Sequence, residues 1–350
     1  MRLSRLARMP RRLGAAAVCV GMLTATPVVN AGKPDILQLS ASEIEVTAAP
    51  IDSFDGSDTV RFGKLDWRGG LRLTSSSRYF GGFSGLALLD DGGSLVSVSD
   101  AGFWLTADLA YAADGRLSGL RQSRVGPITA LGGKRLERRR DRDAEAVSVV
   151  SSRGREAQLV IGFENNARVG QFKLTAEGLS PPASYLTLPK PMQALRGNTG
   201  IESIARIDAG PLAGQFVSFG EHASDPQGNR QGWVFSGKST RAIGLVPDGN
   251  YDVSDIAALP DGGLLVLERR FRWSEGINIR IRRLSARELA GNAPMQGETL
   301  LEAGNGTVLD NMEGIAVHRS AKGETMLTLI SDDNFNFFQS TVLLQFALVE

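Results

Sequence analysis

"NMEGIAV", residues 311–317, places a glutamate, Glu313, just before a short apolar run that is typical of a buried β-strand. Related stretches occur four more times, as "FSGLALL" from Phe83, "DAEAVSV" from Asp143, "GIESIARI" from Gly200 and "DVSDIAA" from Asp252. Their alignment matches five residues that are 61, 57, 53 and 58 positions apart, namely Ser84, Glu145, Glu202, Asp255 and Glu313. A repeat of this length indicates a solenoid, a propeller or an array.

Each repeat contains two apolar runs joined by a turn rich in Gly, Asp or Pro, such as "DDGG" at 90–93 and "PDGG" at 260–263. Such a pattern predicts a hairpin of short buried strands. Weaker strand signals follow, for example "RVGQFKL" at 168–174 and "IRIRRLS" at 279–285, and they complete a unit of four strands. The predicted fold is therefore all-β, a β-propeller built from four-stranded blades.

The last repeat ends in a single strand, "TVLLQFALVE" at 341–350, so its outer strand must come from elsewhere. Residues 33–80 contain three strand-like runs, "EIEVTA", "TVRFGKL" and "GGLRLTS". These runs can supply the missing strand and close the ring, which favours five blades. A divergent sixth blade in the same segment is the alternative.

A second set of polar residues lies where the second strand of each hairpin ends: Asp100, Glu164, Glu221, Glu268, and the pair Asp332 and Asp333. Because hairpin strands are antiparallel, both sets of acids are expected at one end of the blades. The innermost strands of a propeller line its channel, so both sets should face one channel mouth.

Carboxylates crowded in this way repel one another. At a separation of about 6 Å, each like-charge pair costs about 3 kcal/mol at an effective dielectric constant of 20. Three compensations stay open from the sequence: a bound cation, arginine partners, or protonation of some carboxyl groups. Carboxylate and amide oxygens are the ligands that Ca²⁺ prefers.

The first 31 residues differ from the rest of the chain. Five arginines precede an apolar stretch from Leu13 to Leu23, and small residues end the segment at Ala31. This pattern predicts a signal peptide at 1–31, and the stretch is too short for a stable membrane anchor. We therefore expect an N-terminal segment at 32–80, a propeller at 81–350, and a periplasmic or secreted protein.

Removal of this segment changes the charge and the redox chemistry. Lys+Arg falls from 39 to 34 against 38 Asp+Glu, so the formal charge becomes about −4, and we expect no nucleic-acid partner. The single cysteine, Cys19, lies in the removed part, so no disulfide is expected. His222 and His318, the two histidines, cannot form a three-histidine zinc site. The oligomeric state is not indicated.

The ordered motifs "FSGLALLDDG", "DAEAVSV", "GIESIARI", "LERRF", "NMEGIAV" and "LISDDNFN" resemble those of the phytase-like family, described by an esterase-like activity of the phytase type. The resemblance runs from about Gly81 to the C terminus. It implies a secreted or periplasmic propeller that hydrolyses small phosphoesters or other esters and depends on calcium. The family's acidic "EG" signature falls on Glu145, Glu202 and Glu313, although Ala146 and Ser203 replace the usual glycine.

These observations give specific expectations for the site. The predicted metal ligands are Glu145, Glu202, Asp255 and Glu313. The predicted catalytic residues are Glu221, Glu268, Arg269, Asp332 and Asp333. The predicted substrate-binding residues are Ser84, Asp100, Glu164 and Asn334.

In the leading hypothesis, a Ca²⁺ ion held by the inner acids activates water and neutralises an ester oxygen. Arg269 binds the developing charge, and Glu221 or Glu268 is the general base. The alternative is a non-catalytic periplasmic propeller with a structural cation that binds a small ligand or a protein partner at the same mouth.

Overall fold

The computed structural model describes residues 33–196, 199–237 and 239–349, and the predicted signal peptide lies outside them. The described residues form five antiparallel sheets. None of their helices has the length and the apolar character that a membrane crossing requires. Three short α-helices connect strands: α1 (Arg139–Arg142), α2 (Lys190–Gln193) and α3 (Ala286–Ala290).

The first two sheets use the first two sequence repeats. Blade 1 contains β5 (Phe83–Leu89), β6 (Ser94–Ser99), β7 (Phe103–Tyr111) and β8 (Leu117–Pro127), with β1 (Ser42–Glu43) on its outer edge. Blade 2 contains β9 (Ala144–Arg153), β10 (Glu156–Phe163) and β11 (Arg168–Thr175), and both β12 (Gly178–Leu179) and β13 (Ser184–Tyr185) pair with β11.

The next two sheets have four strands each. Blade 3 contains β14 (Ala205–Arg206), β15 (Phe216–Ser224), β16 (Arg230–Ser236) and β17 (Ser239–Leu245). Blade 4 contains β18 (Asp252–Ala258), β19 (Leu264–Arg272), β20 (Gly276–Leu284) and β21 (Glu298–Ala303).

The fifth sheet joins the two ends of the chain. Blade 5 contains β22 (Met312–Arg319), β23 (Thr325–Ser331) and β24 (Thr341–Leu348), followed by β4 (Leu65–Thr74), β2 (Thr47–Ile51) and β3 (Arg61–Phe62). β4 pairs with β24 along its length, from Thr341 opposite Leu73 to Leu348 opposite Leu65. Gly70 permits this pairing, because a Cβ there would lie 2.9 Å from the Leu343 carbonyl oxygen.

The innermost strands close a ring. β5 contacts β9, β14 contacts both β9 and β18, β18 contacts β22, and β22 contacts β5. The molecule is thus a five-bladed β-propeller closed by an N-terminal strand, as the sequence predicted. The sixth-blade alternative is wrong, because β2, β3 and β4 all belong to blade 5 and β1 extends blade 1.

Five apolar clusters, one at each seam between neighbouring blades, form the core. Aromatic side chains fill the seams, for example Trp104 between blades 1 and 2, Trp233 between blades 2 and 3, and Phe346 between blades 4 and 5. Burial on both faces of each blade explains why the strands are continuous apolar runs.

We call one end of the propeller the mouth face. There β5, β9, β18 and β22 begin, and β6, β10, β19 and β23 end. The loop 128–143 between β8 and β9 also lies on this face.

Candidate functional site

β-Bulges at the start of the innermost strands set the direction of the repeated polar side chains. Register shifts fall at Ser84 in blade 1, Glu145 in blade 2 and Glu313 in blade 5. A bulged residue is unpaired in the ladder and its side chain is redirected. Glu202 in blade 3 precedes β14, and its N–H donates to the Phe219 carbonyl oxygen at 3.3 Å. The predicted recurrence therefore corresponds to a repeated backbone feature.

The alignment of blade 4 was wrong by one residue. The bulge there falls at Ser254, between Val253 and Asp255. Asp255 takes the register position that small residues hold in other blades, such as Gly85 and Gly314. Its carboxylate accepts the N–H groups of Ile256 at 2.8 Å and of Ile315 in blade 5 at 2.9 Å, and only 1% of the residue is exposed. Asp255 thus joins two blades and does not line the mouth.

Acids from neighbouring blades converge at the mouth. Two groups of three each place one oxygen per residue within 4.8 Å of the others: Asp143, Glu145 and Glu164, and Glu164, Glu202 and Glu221. Glu164 belongs to both groups. At this separation each ionised pair costs about 3.5 kcal/mol or more at an effective dielectric constant of 20. Three like charges so close cannot all persist without compensation.

The carboxyl groups respond to burial and to one another. Burial, followed by the Asp143 carboxyl, raises the pKa of Glu164 to about 8. Burial and then the neighbouring Glu145 raise the pKa of Glu202 well above its usual value. The pKa of Glu145 is raised by burial and then by Asp100 and Asp143. Perturbed carboxyl groups that share a cleft are typical of functional sites.

Two cations partly offset the acids. Arg269 Nη2 lies 3.1 Å from Glu313 Oε1 and 3.7 Å from Glu221 Oε1, and Arg269 Nη1 donates to Asn311 Oδ1 at 2.7 Å. On the other side, Lys33 Nζ lies 2.5 Å from Asp100 Oδ2 and 3.8 Å from Asp143 Oδ1. Arginine pairing, one of the compensations that the sequence left open, therefore applies to Glu313. Each three-carboxylate group has one cation near only one of its members, at 3.8 Å from Asp143 or 3.7 Å from Glu221.

The donor set fits a hard cation. Each group offers three carboxylates, and Asn165 Nδ2 donates to Glu164 Oε2 at 3.2 Å, so this amide nitrogen positions a ligand and is not one itself. Asp100 Oδ1 is buried and has no hydrogen-bond partner within the described residues. Oxygen-rich sites of this kind suit Ca²⁺. Glu145 and Glu202 are placed where the sequence expected metal ligands.

Comparison with protein families decides the relationship. A family model described as "Phytase-like: Esterase-like activity of phytase" matches residues 78–335. The chain belongs to the phytase-like family. No curated protein gave a significant match. The family and the propeller fold together fit a phytase-like or esterase-like hydrolase, and the matched segment contains every mouth acid described above.

Glu268 of this phytase-like protein is not at the mouth, and that prediction is wrong. The residue is fully buried, 3.0 Å from Arg280 Nε and 2.6 Å from Arg282 Nη2. β19 continues past Glu268, which pairs with Arg280 across the sheet. Successive side chains of a strand point to opposite faces of its sheet. Glu268 therefore lies on the face that carries Arg280 and Arg282, whereas Arg269 lies on the face toward Asn311 and Glu313 of blade 5. A base in this buried ion-pair cluster has no access to a mouth substrate.

Asp332 and Asp333, the acids of the "LISDDNFN" motif, lie at the seam of blades 5 and 1. Burial and then Asp100 raise the pKa of Asp332 well above its usual value, and this group faces the mouth. Asp333 instead accepts the N–H groups of Gly82 and Phe335, each at 3.0 Å, and the Thr341 hydroxyl at 3.1 Å. Its hydrogen-bonding capacity is used by the fold, which contradicts the predicted catalytic role.

The predicted substrate-binding residues divide in a similar way. Glu164 and Asp100 lie in the mouth, and the Ser84 hydroxyl lies beside Glu145. Asn334 is exposed in a turn, and its N–H donates to Asp332 Oδ1 at 2.6 Å. The backbone of Asn334 thus stabilises its own turn, and its side chain is not part of either three-carboxylate group.

Two site residues of the phytase-like protein were missed. Asp143 stands two positions before the bulge residue Glu145, where blades 4 and 5 place Asp252 and Asn311. This polar position recurs in three of the five repeats, two residues before the bulge, and was therefore a usable signal. Lys33 carried no signal, since its contact with Asp100 joins residues far apart in the sequence.

Proposed function

We propose that this phytase-like protein is a Ca²⁺-dependent hydrolase that cleaves small phosphoesters at the channel mouth. The convergence of two three-carboxylate groups that share Glu164 is the observation that carries the proposal. Asp143, Glu145 and Glu164 would hold the cation, and Glu202 and Glu221, the other members of the second group, would lie beside it. A cation bound there supplies positive charge against an anionic ester oxygen.

A cationic recess beside the acids supports a phosphoester in preference to a neutral ester. A cavity of about 300 Å³ is lined by Lys33, Arg139, Arg140, Asp143 and Asn165, among others. Arginine and lysine are the residues that bind phosphate oxygens. The basic segment that precedes β9 thus reaches the first acidic group, where it can position a phosphate.

Arg269 supports the same chemistry from the opposite side. Its guanidinium lies between Glu221 and Glu313, and its Nε is buried without a hydrogen-bond partner in the described chain. The Arg269 side chain is 27% exposed, so its guanidinium would meet a developing negative charge at the mouth. Glu221, whose other oxygen lies 3.5 Å from His222 Nε2, would accept a proton and pass it toward the exposed imidazole.

Export is part of the proposal. The arginines and the apolar stretch of residues 1–31 support a signal peptide, which would deliver the propeller to the periplasm or the medium. Free calcium outside the cytoplasm reaches the range that weak extracellular sites need.

The test uses the purified protein with p-nitrophenyl phosphate and p-nitrophenyl acetate, in EDTA and in Ca²⁺. We expect phosphate release only with Ca²⁺, and its loss in Glu145→Gln. Arg139→Gln with Arg140→Gln should raise KM for the phosphate substrate more than for the acetate. Calcium binding without turnover of either substrate would instead indicate the non-catalytic alternative.

A further inference from the structure

Exposed aromatic side chains are concentrated on the mouth face. Phe271 and Trp273, in the hairpin between β19 and β20, are 54% and 96% exposed. Phe337 and Phe338, in the loop between β23 and β24, are 79% and 86% exposed. Exposure of large aromatic groups to water is unfavourable, so such groups usually mark a binding surface.

The two aromatic pairs belong to neighbouring blades. Asn311 links the segments that carry them, because Arg269 donates to its side chain at 2.7 Å and the Asp332 N–H donates to its carbonyl oxygen at 2.8 Å. Within each pair the rings are edge to face, with centroids 5.4 Å apart for Phe271 and Trp273 and 5.7 Å apart for Phe337 and Phe338. Both pairs therefore project from loops on one side of the mouth.

The other side of the same face is basic. Five exposed cations, together with Leu131 at 45% exposure, lie in the loop between β8 and β9: Lys134, Arg135, Arg138, Arg139 and Arg140. None of the five forms an ion pair among the described residues. The acids of the mouth are less exposed than the aromatic and basic residues around them, since Glu164 and Glu202 are only 8% and 9% exposed.

We propose that the mouth face docks reversibly on an anionic lipid surface. Tryptophan and phenylalanine insert at the membrane interface, and Lys and Arg are attracted to anionic headgroups. Aromatic groups at the tips of separate loops suit insertion between headgroups, whereas a protein interface requires a continuous packed core. Docking in this orientation would bring the channel mouth to the lipid surface.

Trp273 makes the proposal directly measurable. The other three tryptophans, Trp67, Trp104 and Trp233, are at most 4% exposed, so only Trp273 can change environment on docking. The purified protein in EDTA is mixed with phosphatidylcholine vesicles that contain about one-third phosphatidylglycerol, or none. We expect a blue shift of the emission and quenching by brominated lipid with the anionic vesicles, and a much smaller effect with the neutral ones.

Variants separate the two contributions. Trp273→Ser with Phe337→Ser and Phe338→Ser should weaken co-sedimentation about tenfold or more. Lys134→Gln with Arg135→Gln and Arg138→Gln should remove the preference for anionic vesicles, by about tenfold or more. Val60→Ser, a half-exposed position at the opposite end, is the control and should bind like the wild type.

Unchanged emission and no co-sedimentation with either vesicle would overturn the proposal. Equal binding by the aromatic triple variant would do so too, provided that its melting temperature matches the wild type. Capture of a protein in place of vesicles would assign the surface to a protein partner and reject the lipid. Because adsorption is measured without turnover, these results are independent of the proposed hydrolysis.

Discussion

Glu164→Gln tests whether crowded acids at the mouth oppose folding until a cation binds. Glu164 belongs to both three-carboxylate groups, and its pKa is raised from 4.5 to about 8. A carboxyl group with a raised folded-state pKa lowers stability as the pH rises from 4.5 through 8. The full shift corresponds to about 5 kcal/mol at 1.36 kcal/mol per pH unit. Relaxation of the neighbouring groups and penetration of water reduce this cost, so we expect about 2 kcal/mol.

The predicted result has a definite sign. At pH 8 in EDTA, Glu164→Gln should unfold about 3 °C above the wild type, because the amide carries no charge. At pH 4.5 the two proteins should differ little. Saturating Ca²⁺, at about 100 times Kd, should stabilise the wild type by about 2.7 kcal/mol and the variant by clearly less.

Differential scanning calorimetry gives the melting temperature of each protein at pH 4.5 and pH 8, in EDTA and in Ca²⁺. Glu156→Gln is a suitable control, because Glu156 is an exposed glutamate at the opposite end of blade 2. That variant should match the wild type in each condition. A Glu164→Gln variant less stable than the wild type at pH 8 in EDTA, or one with an undiminished response to Ca²⁺, would refute the reasoning.

Three further predictions concern the fold. Glu268→Gln should cost about 3–5 kcal/mol in urea unfolding, because Arg280 and Arg282 lose their shared buried carboxylate, with kcat of the folded fraction unchanged; a catalytic loss without destabilisation would contradict this. Gly70→Val should weaken closure of blade 5 by about 2 kcal/mol or more, seen as faster hydrogen exchange in β24; unchanged exchange rates would argue against the steric account. Burial lowers the pKa of His318 to about 4, so the stability contributed by its neutral form is complete above pH 6.5 and is lost as the pH falls toward 4. His318→Gln should reduce this acid loss of unfolding free energy by about 2 kcal/mol. An identical pH dependence of the unfolding free energy in the variant and the wild type would contradict this account.

The propeller and most of its mouth were predictable because they depend on local patterns. Apolar runs at a period of 53 to 61 residues define one blade each, and polar residues before those runs mark the bulges at Ser84, Glu145 and Glu313. The missing last strand required a partner, which the strand signals of residues 33–80 could supply. These inferences depend on strand periodicity and chain connectivity, which a sequence states directly.

Side-chain direction required the tertiary structure. A shift of one residue turns a side chain to the other face of a strand, which is why Asp255 holds two blades together and Ser254 occupies the bulge. Glu268 pairs with arginines on the next strand because β19 extends beyond the predicted end. Lys33 reaches Asp100 only because the ring brings distant segments together. The sequence by itself determined the blades and the acidic end of the channel, since both repeat along the chain, whereas packing between blades decided which acids share a site.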